Sequence, residues 1–346
     1  MLSNGKTRPL CLAKKREGIL HALFITKIKN PSSFTSSKWS ISDFSGHSEF
    51  GTVINGIADN YREELEYQKA LGLYEYVVDN CSGAEAVVSA EVGIGVSQIH
   101  LSEDEQVGDV VEALVADFND LPRVDWGVFV IGEEYYYLAE KMKEQGLTKI
   151  SNENYRKSIE VWRRIIDDMP ETEHTTYSWY FSGICYIRLG EYEKTVAHFE
   201  KVIEKWPDYE YAWSAQHLIG TYVNLLMKSG KIPASDAEPK IEAAWQAMID
   251  NYPQKPLYDV ALRKLGGFYL ERGQPQKAVD YFETFCEEYP EDRWRAGILY
   301  DLAGAYEDTG ELELAIDVYE EFIEDYPDDP QVTQAEARLR ELGRAD

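Results

Sequence analysis

The chain is poor in the residues that build metal centres and disulfide frameworks, and it lacks long apolar runs. Its 346 residues include only four cysteines and six histidines. The cysteines, Cys11, Cys81, Cys185 and Cys286, form no C-x-x-C pair, which argues against a zinc site or a disulfide framework. No stretch contains 18 consecutive apolar residues, the length at which a transmembrane helix is predicted. We therefore expect no metal, no cofactor and no transmembrane segment.

Positive charge is also scarce. The sequence carries 35 basic and 62 acidic residues, a formal net charge of −27. Nucleic-acid binding depends on Lys and Arg side chains that displace counterions from phosphates, so this balance argues against nucleic acid as a general partner. An acidic surface favours basic protein partners instead. The charge is unevenly distributed along the chain, because residues 1–50 carry a net charge of +5 and the remainder carries −32.

Catalytic motifs are missing as well. The histidines are scattered, and none lies in an H-E-x-x-H sequence. Gly93 and Gly95 suggest a phosphate-binding loop, but neither a G-x-x-x-x-G-K-[ST] nor a complete G-x-G-x-x-G motif follows. Acidic pairs such as Glu287 and Glu288 recur near the ends of predicted helices, which is typical of solvated turns. The sequence therefore predicts a protein that is not an enzyme and has no small-molecule substrate.

What the chain does contain is a pattern of two amphipathic helices, clearest at residues 261–290. Apolar or small residues recur at helical spacing in both halves of this stretch. The first stripe contains Leu262, Leu265, Gly266 and Tyr269, and the second contains Ala278, Phe282, Phe285 and Tyr289. The spacing predicts two helices that pack through one face each.

Glycine and proline separate these two helices and end the unit. Gly273 and Pro275 lie between the stripes, and this order is typical of a helix end followed by a helix start. Gly266 allows the two backbones to approach closely, with Ala278 as its small partner. Pro290 cannot continue the second helix. The stretch therefore predicts one antiparallel helical hairpin.

This order of residues resembles the tetratricopeptide repeat family, whose pattern is W-x2-L-G-x2-Y followed by Ala, Phe and Pro. The same columns recur along the chain, and successive terminating residues are 37, 51, 37, 46, 37 and 37 positions apart. These terminating residues are Ser82, Asn119, Pro170, Pro207, Pro253, Pro290 and Pro327. The period with its frequent Tyr-Pro terminator is also similar in style to repeats of bacterial cell-envelope proteins, including outer-membrane assembly lipoproteins and Tol-Pal coordinators.

The resemblance implies an all-α, right-handed superhelical α-solenoid of about seven helical hairpins with a C-terminal capping helix. We place the repeats at residues 51–87, 88–124, 125–175, 176–212, 213–258, 259–295 and 296–330. Residues 331–346 are predicted to form the capping helix and tail, because arrays need a solvating end. Residues 1–50 lack the pattern and form a basic, Ser-rich leader that we expect to be poorly ordered.

Two repeats exceed the period, by 14 and nine residues. Both insertions lie between the two helices of their repeats, within residues 135–158 and 223–241. Both are locally basic, through Lys141, Lys143 and Lys149 in one and Lys228, Lys231 and Lys240 in the other. Two interpretations stay open: an edge contact site for an acidic partner, or tolerated loop growth, which is thermodynamically inexpensive.

In the family that the chain resembles, the first helix of each repeat lines a concave groove that binds extended or helical peptides. The positions in this sequence that match the groove-facing column are Asn55, Val92, Phe129, Tyr180, His217, Arg263 and Tyr300, and one helical turn later the column includes Asp59. Neighbouring Trp126, Tyr136 and Tyr177 add aromatic area in the third and fourth repeats. The resulting partner-binding candidates are Trp126, Phe129, Tyr136, Tyr177, Tyr180, His217, Arg263 and Tyr300. The alternative is that these aromatics pack between adjacent first helices.

The resemblance thus implies a non-catalytic scaffold or adaptor that binds a peptide or partner domain in the groove of a tetratricopeptide superhelix. The alternative is an accessory or regulatory subunit of an enzyme or of a cell-envelope assembly complex. The expected partner is a protein or peptide, and a basic one suits the charge. No signal peptide is recognisable, so the cytoplasm is the default location, with the periplasm or cell envelope as the alternative.

Overall fold

The computed structural model describes residues 50–343. The predicted leader lies outside the described residues, apart from Phe50. The described residues form fifteen α-helices and no β-strand. Successive helices pack in antiparallel pairs joined by short turns, which confirms the predicted all-α architecture of helical hairpins. The boundaries of the individual repeats stay a prediction.

The chain divides into unit 1, Met1–Ser178, and unit 2, Trp179–Asp346, and each unit is described by itself. Unit 1 contains α1 (Phe50–Glu63), α2 (Tyr67–Asn80), α3 (Ala84–Leu101), α4 (Asp104–Asp117), α5 (Val124–Glu144) and α6 (Thr148–Asp168). The division lies within α7 (Glu173–Leu189). Unit 2 continues with α8 (Tyr192–Lys205), α9 (Ala212–Lys228), α10 (Ala234–Asn251), α11 (Tyr258–Leu270), α12 (Pro275–Glu288), α13 (Arg295–Thr309), α14 (Leu312–Asp325) and α15 (Val332–Glu341).

The turns inside the hairpins follow from glycine and proline. Between α11 and α12, Gly273 has a φ of +65°, a left-handed conformation that costs glycine little. Pro275 then occupies the first turn of α12, where its missing N–H group is harmless. Between α1 and α2 the left-handed position is held by Leu65, with a φ of +61°, which costs a non-glycine residue about 1–2 kcal/mol.

In four hairpins, a glycine on the first helix and an aromatic ring on the second determine how closely the two helices pack. A Cβ atom added to Gly266 would lie within 3.0 Å of the Phe282 ring, which is inside van der Waals contact. The same relation holds for Gly132 with Trp162, Gly183 with Phe199 and Gly220 with Trp245. The sequence identified the close approach at Gly266, but the space is filled by Phe282, and Ala278 is not the group that meets it.

Neighbouring hairpins are joined by tyrosine hydroxyls that donate to carboxylates. In unit 1, Tyr135 of α5 donates to Asp104 of α4 at 2.8 Å. In unit 2, Tyr269 of α11 donates to Glu242 of α10 at 2.5 Å, and Tyr306 of α13 donates to Glu283 of α12. Burial and these hydrogen bonds raise the pKa of each of the three phenols. The sequence predicts these first-helix tyrosines as packing residues. Their hydroxyl groups therefore also fix the register between neighbouring hairpins.

The two insertions lengthen helices and do not form the loops that their position predicts. The first extends α5 and α6 to 21 residues each. The second gives α9 and α10 lengths of 17 and 18 residues. Of its lysines, Lys231 forms an ion pair with Glu193 at 3.2 Å and Lys240 with Glu200 at 2.6 Å. Both cations are therefore neutralised within unit 2, which favours growth of the scaffold over an edge contact site.

The last helix, α15, covers the end of the final hairpin. Ala335 and Leu339 are buried in a cluster with Leu299, Tyr319 and Phe322. Its other faces carry charged side chains such as Arg340 and Glu336, which form an exposed ion pair at 3.4 Å. This amphipathic helix is what the sequence predicts for residues 331–346, within the part that the structure describes.

Candidate functional site

The first helices of three hairpins in unit 1 line a groove of about 530 Å³. Residues one turn apart share a face of a helix, so each helix contributes a short row of side chains. These rows include Asn55 and Asp59 on α1, Val88, Ser89 and Val92 on α3, and Trp126, Gly127 and Val130 on α5. We call this surface the unit 1 groove. Its volume lies within the range of about 300–1,000 Å³ that is common for binding pockets.

The floor of the unit 1 groove depends on the close approach of α3 and α5. A Cβ atom added to Gly127 would lie 2.6 Å from Cγ2 of Val92, so only glycine permits this separation. Val92 is 9% exposed and Val128 on α5 is fully buried. The floor at this crossing is therefore closely packed and apolar.

The α1 wall of the groove is polar and fixed by hydrogen bonds. Asn55 is 6% exposed, and its Nδ2 donates to the carbonyl of Ala86 at 2.8 Å. Asp59 accepts hydrogen bonds from the Tyr74 hydroxyl at 2.6 Å and from Arg62 at 3.2 Å. Burial, followed by the hydrogen bond to Asp59, raises the pKa of Tyr74. The wall is thus organised before any ligand arrives.

Trp126 is the large aromatic side chain that the groove leaves accessible. It is 43% exposed, and the guanidinium carbon of Arg123 lies 4.9 Å from the centre of its ring. Arg123 has a φ of +71°, a conformation that costs a non-glycine residue about 1–3 kcal/mol. Arg123, the strained residue before α5, therefore supports the Trp126 ring that lines the groove.

The other predicted aromatics of unit 1 pack more deeply. Phe129 is 9% exposed and stacks on Trp162 with ring centres 5.4 Å apart. Tyr136 is half-buried, 5.9 Å from the ring of Tyr155. Tyr177 is also half-buried, 5.9 Å from Phe129. Phe129 thus belongs to the core, as the packing alternative expects.

Asp125 secures the same region from the start of α5. It accepts hydrogen bonds from the Thr172 hydroxyl at 2.6 Å and from His174 Nδ1 at 2.8 Å. Burial opposes ionisation of Asp125, but the hydrogen bonds from Thr172 and His174 outweigh it and lower its pKa. No group of three or more His, Cys, Asp or Glu residues that could hold a metal occurs between residues 50 and 343.

Unit 2 has a comparable cavity of about 360 Å³, which we call the unit 2 cavity. It lies between the first helices α9, α11 and α13. Its lining includes Arg263, Lys264, Trp294 and Asp301. The guanidinium carbon of Arg263 lies 4.8 Å from the centre of the Trp294 ring, and Trp294 is 47% exposed. Among the eight predicted residues, Arg263 is the one that lines this cavity.

The remaining predicted residues of unit 2 make internal contacts. Tyr180 is 7% exposed, and its hydroxyl donates to Ser214 Oγ at 2.9 Å. Tyr300 is half-buried, and its ring centre lies 5.8 Å from that of Phe322. His217 is half-buried and lies 3.4 Å from the Thr221 hydroxyl through Nε2. These contacts are of the kind that the packing alternative expects, and a binding role for the three residues stays a prediction.

His217 is expected to remain neutral well below physiological pH. Burial, followed by the nearby positive charge of Lys264, lowers its pKa to about 4, whereas an unfolded histidine titrates near 6.5. Unfolding therefore takes up a proton between about pH 6.5 and 4. The associated stabilisation is present above that window and is lost as the pH falls through it.

The measurement for this prediction is an NMR titration of the histidine ring protons, assigned with His217→Gln. We expect a midpoint near pH 4 that rises in Lys264→Gln, because one of the two causes is removed. A midpoint near 6.5 in the unsubstituted protein would refute the prediction.

Several lining residues escaped the sequence analysis. Ser89, Arg123, Lys264 and Trp294 line the two surfaces, but none occupies the groove-facing column that the resemblance supplies. Trp294 stands in the loop segment before α13, as Arg123 stands before α5. For Arg123 and Trp294 the only available signal was a large or cationic side chain in a predicted turn, which has no specific meaning without the fold; Ser89 and Lys264 lie within helices and gave no signal.

Comparison with family models supports the repeat pattern directly. A tetratricopeptide repeat model matches residues 269–339, and a second tetratricopeptide repeat model matches residues 177–209. No curated protein sequence matches the chain significantly.

Solved structures with a similar chain path include three proteins of low sequence identity. A crystal structure of MamA protein is 16% identical, with a TM-score of 0.43, and covers 57% of this chain and 92% of its own. YrrB, described as a TPR protein with an unusual peptide-binding site, is 16% identical, with a TM-score of 0.41, and covers 59% and 91%. PilF of Pseudomonas aeruginosa is 13% identical, with a TM-score of 0.42, and covers 74% and 100%.

The family models match stretches that the structure folds into paired helices, and the glycine, aromatic and proline columns recur between them. No helix between residues 50 and 343 is both long and apolar enough to cross a membrane. The chain therefore contains tetratricopeptide repeats, at residues 177–209 and 269–339.

Proposed function

We propose that this protein is a non-catalytic scaffold that binds a peptide segment of a partner protein in the unit 1 groove. The observation that carries the proposal is the partly exposed Trp126 beside an apolar floor and a fixed polar wall. Aromatic side chains offer large contact area at small cost in conformational entropy, and they dominate the energetics of many interfaces. Rigid supports reduce the cost further, because little has to be ordered on binding.

The charge of the chain supports a basic partner. The formal net charge is −27, and such a field attracts cationic segments and accelerates their association. Glu85 also lines the unit 1 groove; it is exposed and forms no ion pair with another described residue. A Lys or Arg side chain of the partner would find an acceptor there.

Trp126→Ala is expected to weaken peptide binding about 30-fold, because truncating a central interface aromatic costs about 2 kcal/mol. Its effect on the free energy of unfolding should stay within about 0.5 kcal/mol, since an exposed side chain is removed. The probes are the peptides that the full-length protein selects from a random peptide library, and we expect them to be basic. Fluorescence anisotropy gives the dissociation constants.

Tyr137→Ala is the matched control, because Tyr137 is a 56% exposed aromatic on the same helix that does not line the groove. It should leave the affinity within a factor of about two. Equal losses in the two variants, or selection of peptides without basic residues, would contradict the proposed site and partner.

A further inference from the structure

Arg263 differs from the other two half-buried arginines of unit 2, Arg272 and Arg295, in its hydrogen bonding. Arg272 Nη1 donates to the Phe268 carbonyl at 3.1 Å, and Arg295 Nη1 donates to Asp325 at 2.9 Å. Arg338 similarly pairs with Glu307. The guanidinium of Arg263 donates no hydrogen bond to any described residue, and its nearest carboxylate oxygen, on Asp259, is 3.8 Å away. Its Nε is buried without a hydrogen-bond partner, as are those of Arg272 and Arg295, but those two side chains donate through other N–H groups.

This arrangement is energetically unfavourable unless a further group completes it. The Arg263 side chain is only 15% exposed, and the Asp259 carboxylate at 3.8 Å makes up only part of the hydration that this buried charge loses. The stacking of Arg263 on Trp294 satisfies the face of the guanidinium but none of its N–H groups. A planar carboxylate is the group that pairs with two guanidinium N–H groups at once.

The surroundings add positive charge that is otherwise rare in this unit. Residues 179–346 contain 33 acidic and 17 basic side chains, and most of the described cations have a carboxylate partner. Lys264, which is exposed and lines the cavity, and Arg293, which lies 5.2 Å from the Trp294 ring centre, have none within 4.0 Å. Acidic side chains outnumber basic ones about twofold in unit 2, so cations without a carboxylate partner around one cavity are unusual there.

Two carboxylates also line the unit 2 cavity, but neither neutralises these cations. Glu271 is in an ion pair with Lys228 at 3.1 Å. Asp301 forms no ion pair with Arg263 or Lys264. The net negative charge of unit 2 repels an acidic ligand at long range. Within the Debye length of about 8 Å at physiological salt, however, the nearest cations dominate.

We propose that the unit 2 cavity binds an acidic side chain of a partner segment, with Arg263 holding the carboxylate, Lys264 adding charge and Trp294 packing against the segment. This second site is independent of the unit 1 groove. The unit 2 cavity binds an acidic segment, whereas the unit 1 groove binds a basic one, so one scaffold would bind two kinds of segment.

The test uses the full-length protein and a fluorescein-labelled, C-terminally amidated peptide of alternating Glu and Leu residues. Arg263→Gln is expected to weaken binding about tenfold, equal to about 1.4 kcal/mol. Arg263→Lys should lie between Arg263→Gln and the unsubstituted protein, because it keeps the charge but loses the two-pronged geometry. Lys264→Gln should weaken binding about threefold, because it removes one exposed charge.

Lys255→Gln is the control, since Lys255 is an exposed cation without an ion pair that lies outside the cavity lining. It should change the affinity less than about twofold, and circular dichroism should report the same helix content for every variant. Trp126→Ala should leave this binding unchanged, which separates the outcome from that of the unit 1 groove.

Three results would overturn the proposal. The isosteric peptide of Gln and Leu could bind as tightly as the Glu peptide, Arg263→Gln could retain full affinity, or the site could bind only peptides with a free C-terminal carboxylate. The last result would mean that the terminus, and not an acidic side chain, is the ligand.

Discussion

Replacing Phe129 by Ala is expected to lower the free energy of unfolding by about 3–5 kcal/mol, the usual cost of removing a buried phenyl ring. Phe129 is 9% exposed and stacks on Trp162, whose Nε1 donates to the Phe129 carbonyl at 3.0 Å. Truncation therefore leaves a cavity beside a ring that is itself almost completely buried. Urea denaturation of the full-length protein, followed by circular dichroism, measures the change.

The control for this prediction lies two turns further along α5. Tyr137 is 56% exposed, so Tyr137→Ala should change the free energy of unfolding by no more than about 0.5 kcal/mol. If Phe129→Ala instead left stability unchanged and abolished binding of the peptides selected on the unit 1 groove, Phe129 would be a contact residue. That result would favour the binding role, which the sequence left open beside the packing role.

The second large effect concerns two adjacent glycines on α11, for which the same substitution should act in opposite directions. Gly266→Ala places a methyl group within 3.0 Å of the Phe282 ring, and such overpacking costs about 1–3 kcal/mol. Gly267 has no neighbouring atom within 4 Å of an added Cβ. Gly267→Ala should therefore stabilise the helix by about 0.5–1 kcal/mol, because Ala loses less backbone entropy than Gly.

Thermal and urea unfolding of the two single variants provide the measurement. Combining Gly266→Ala with Phe282→Leu tests the mechanism, because a smaller side chain should relieve the contact and recover part of the loss. Two glycine variants with the same sign, or a double variant with no recovery, would show that the contact with Phe282 does not control the helix spacing.

The two surfaces show how the same fold can present different chemistry. In the unit 1 groove the accessible aromatic, Trp126, is supported by Arg123 before α5. In the unit 2 cavity Trp294, before α13, is flanked by Arg263 and Arg293. In both units an exposed tryptophan near a helix start contacts arginine. The residues around the two tryptophans differ. The unit 1 groove has an apolar floor with Val92, whereas the unit 2 cavity is surrounded by cations without carboxylate partners. We expect this difference to select the partner.

The sequence could predict the helical class, the hairpins and the capping helix because these depend on local spacing. Apolar residues three and four positions apart define a helix face whatever its neighbours are. Gly273 and Pro275 mark a turn through their own backbone preferences. The resemblance to tetratricopeptide repeats added the expectation of a groove, and Arg263 and Trp126 do line surfaces formed by first helices.

The tertiary structure decided which of the candidate side chains reach solvent. Phe129 and Trp126 are three residues apart on one helix, yet one is buried and the other is exposed, because the rings of Trp162 and Tyr177 pack against Phe129. Likewise, the lack of a hydrogen-bonding partner for Arg263 depends on where carboxylates from other helices lie. Helical periodicity fixes the angle of a residue around its own axis. Exposure and charge pairing are set by neighbouring helices that are distant in sequence, so they follow only from the packed structure.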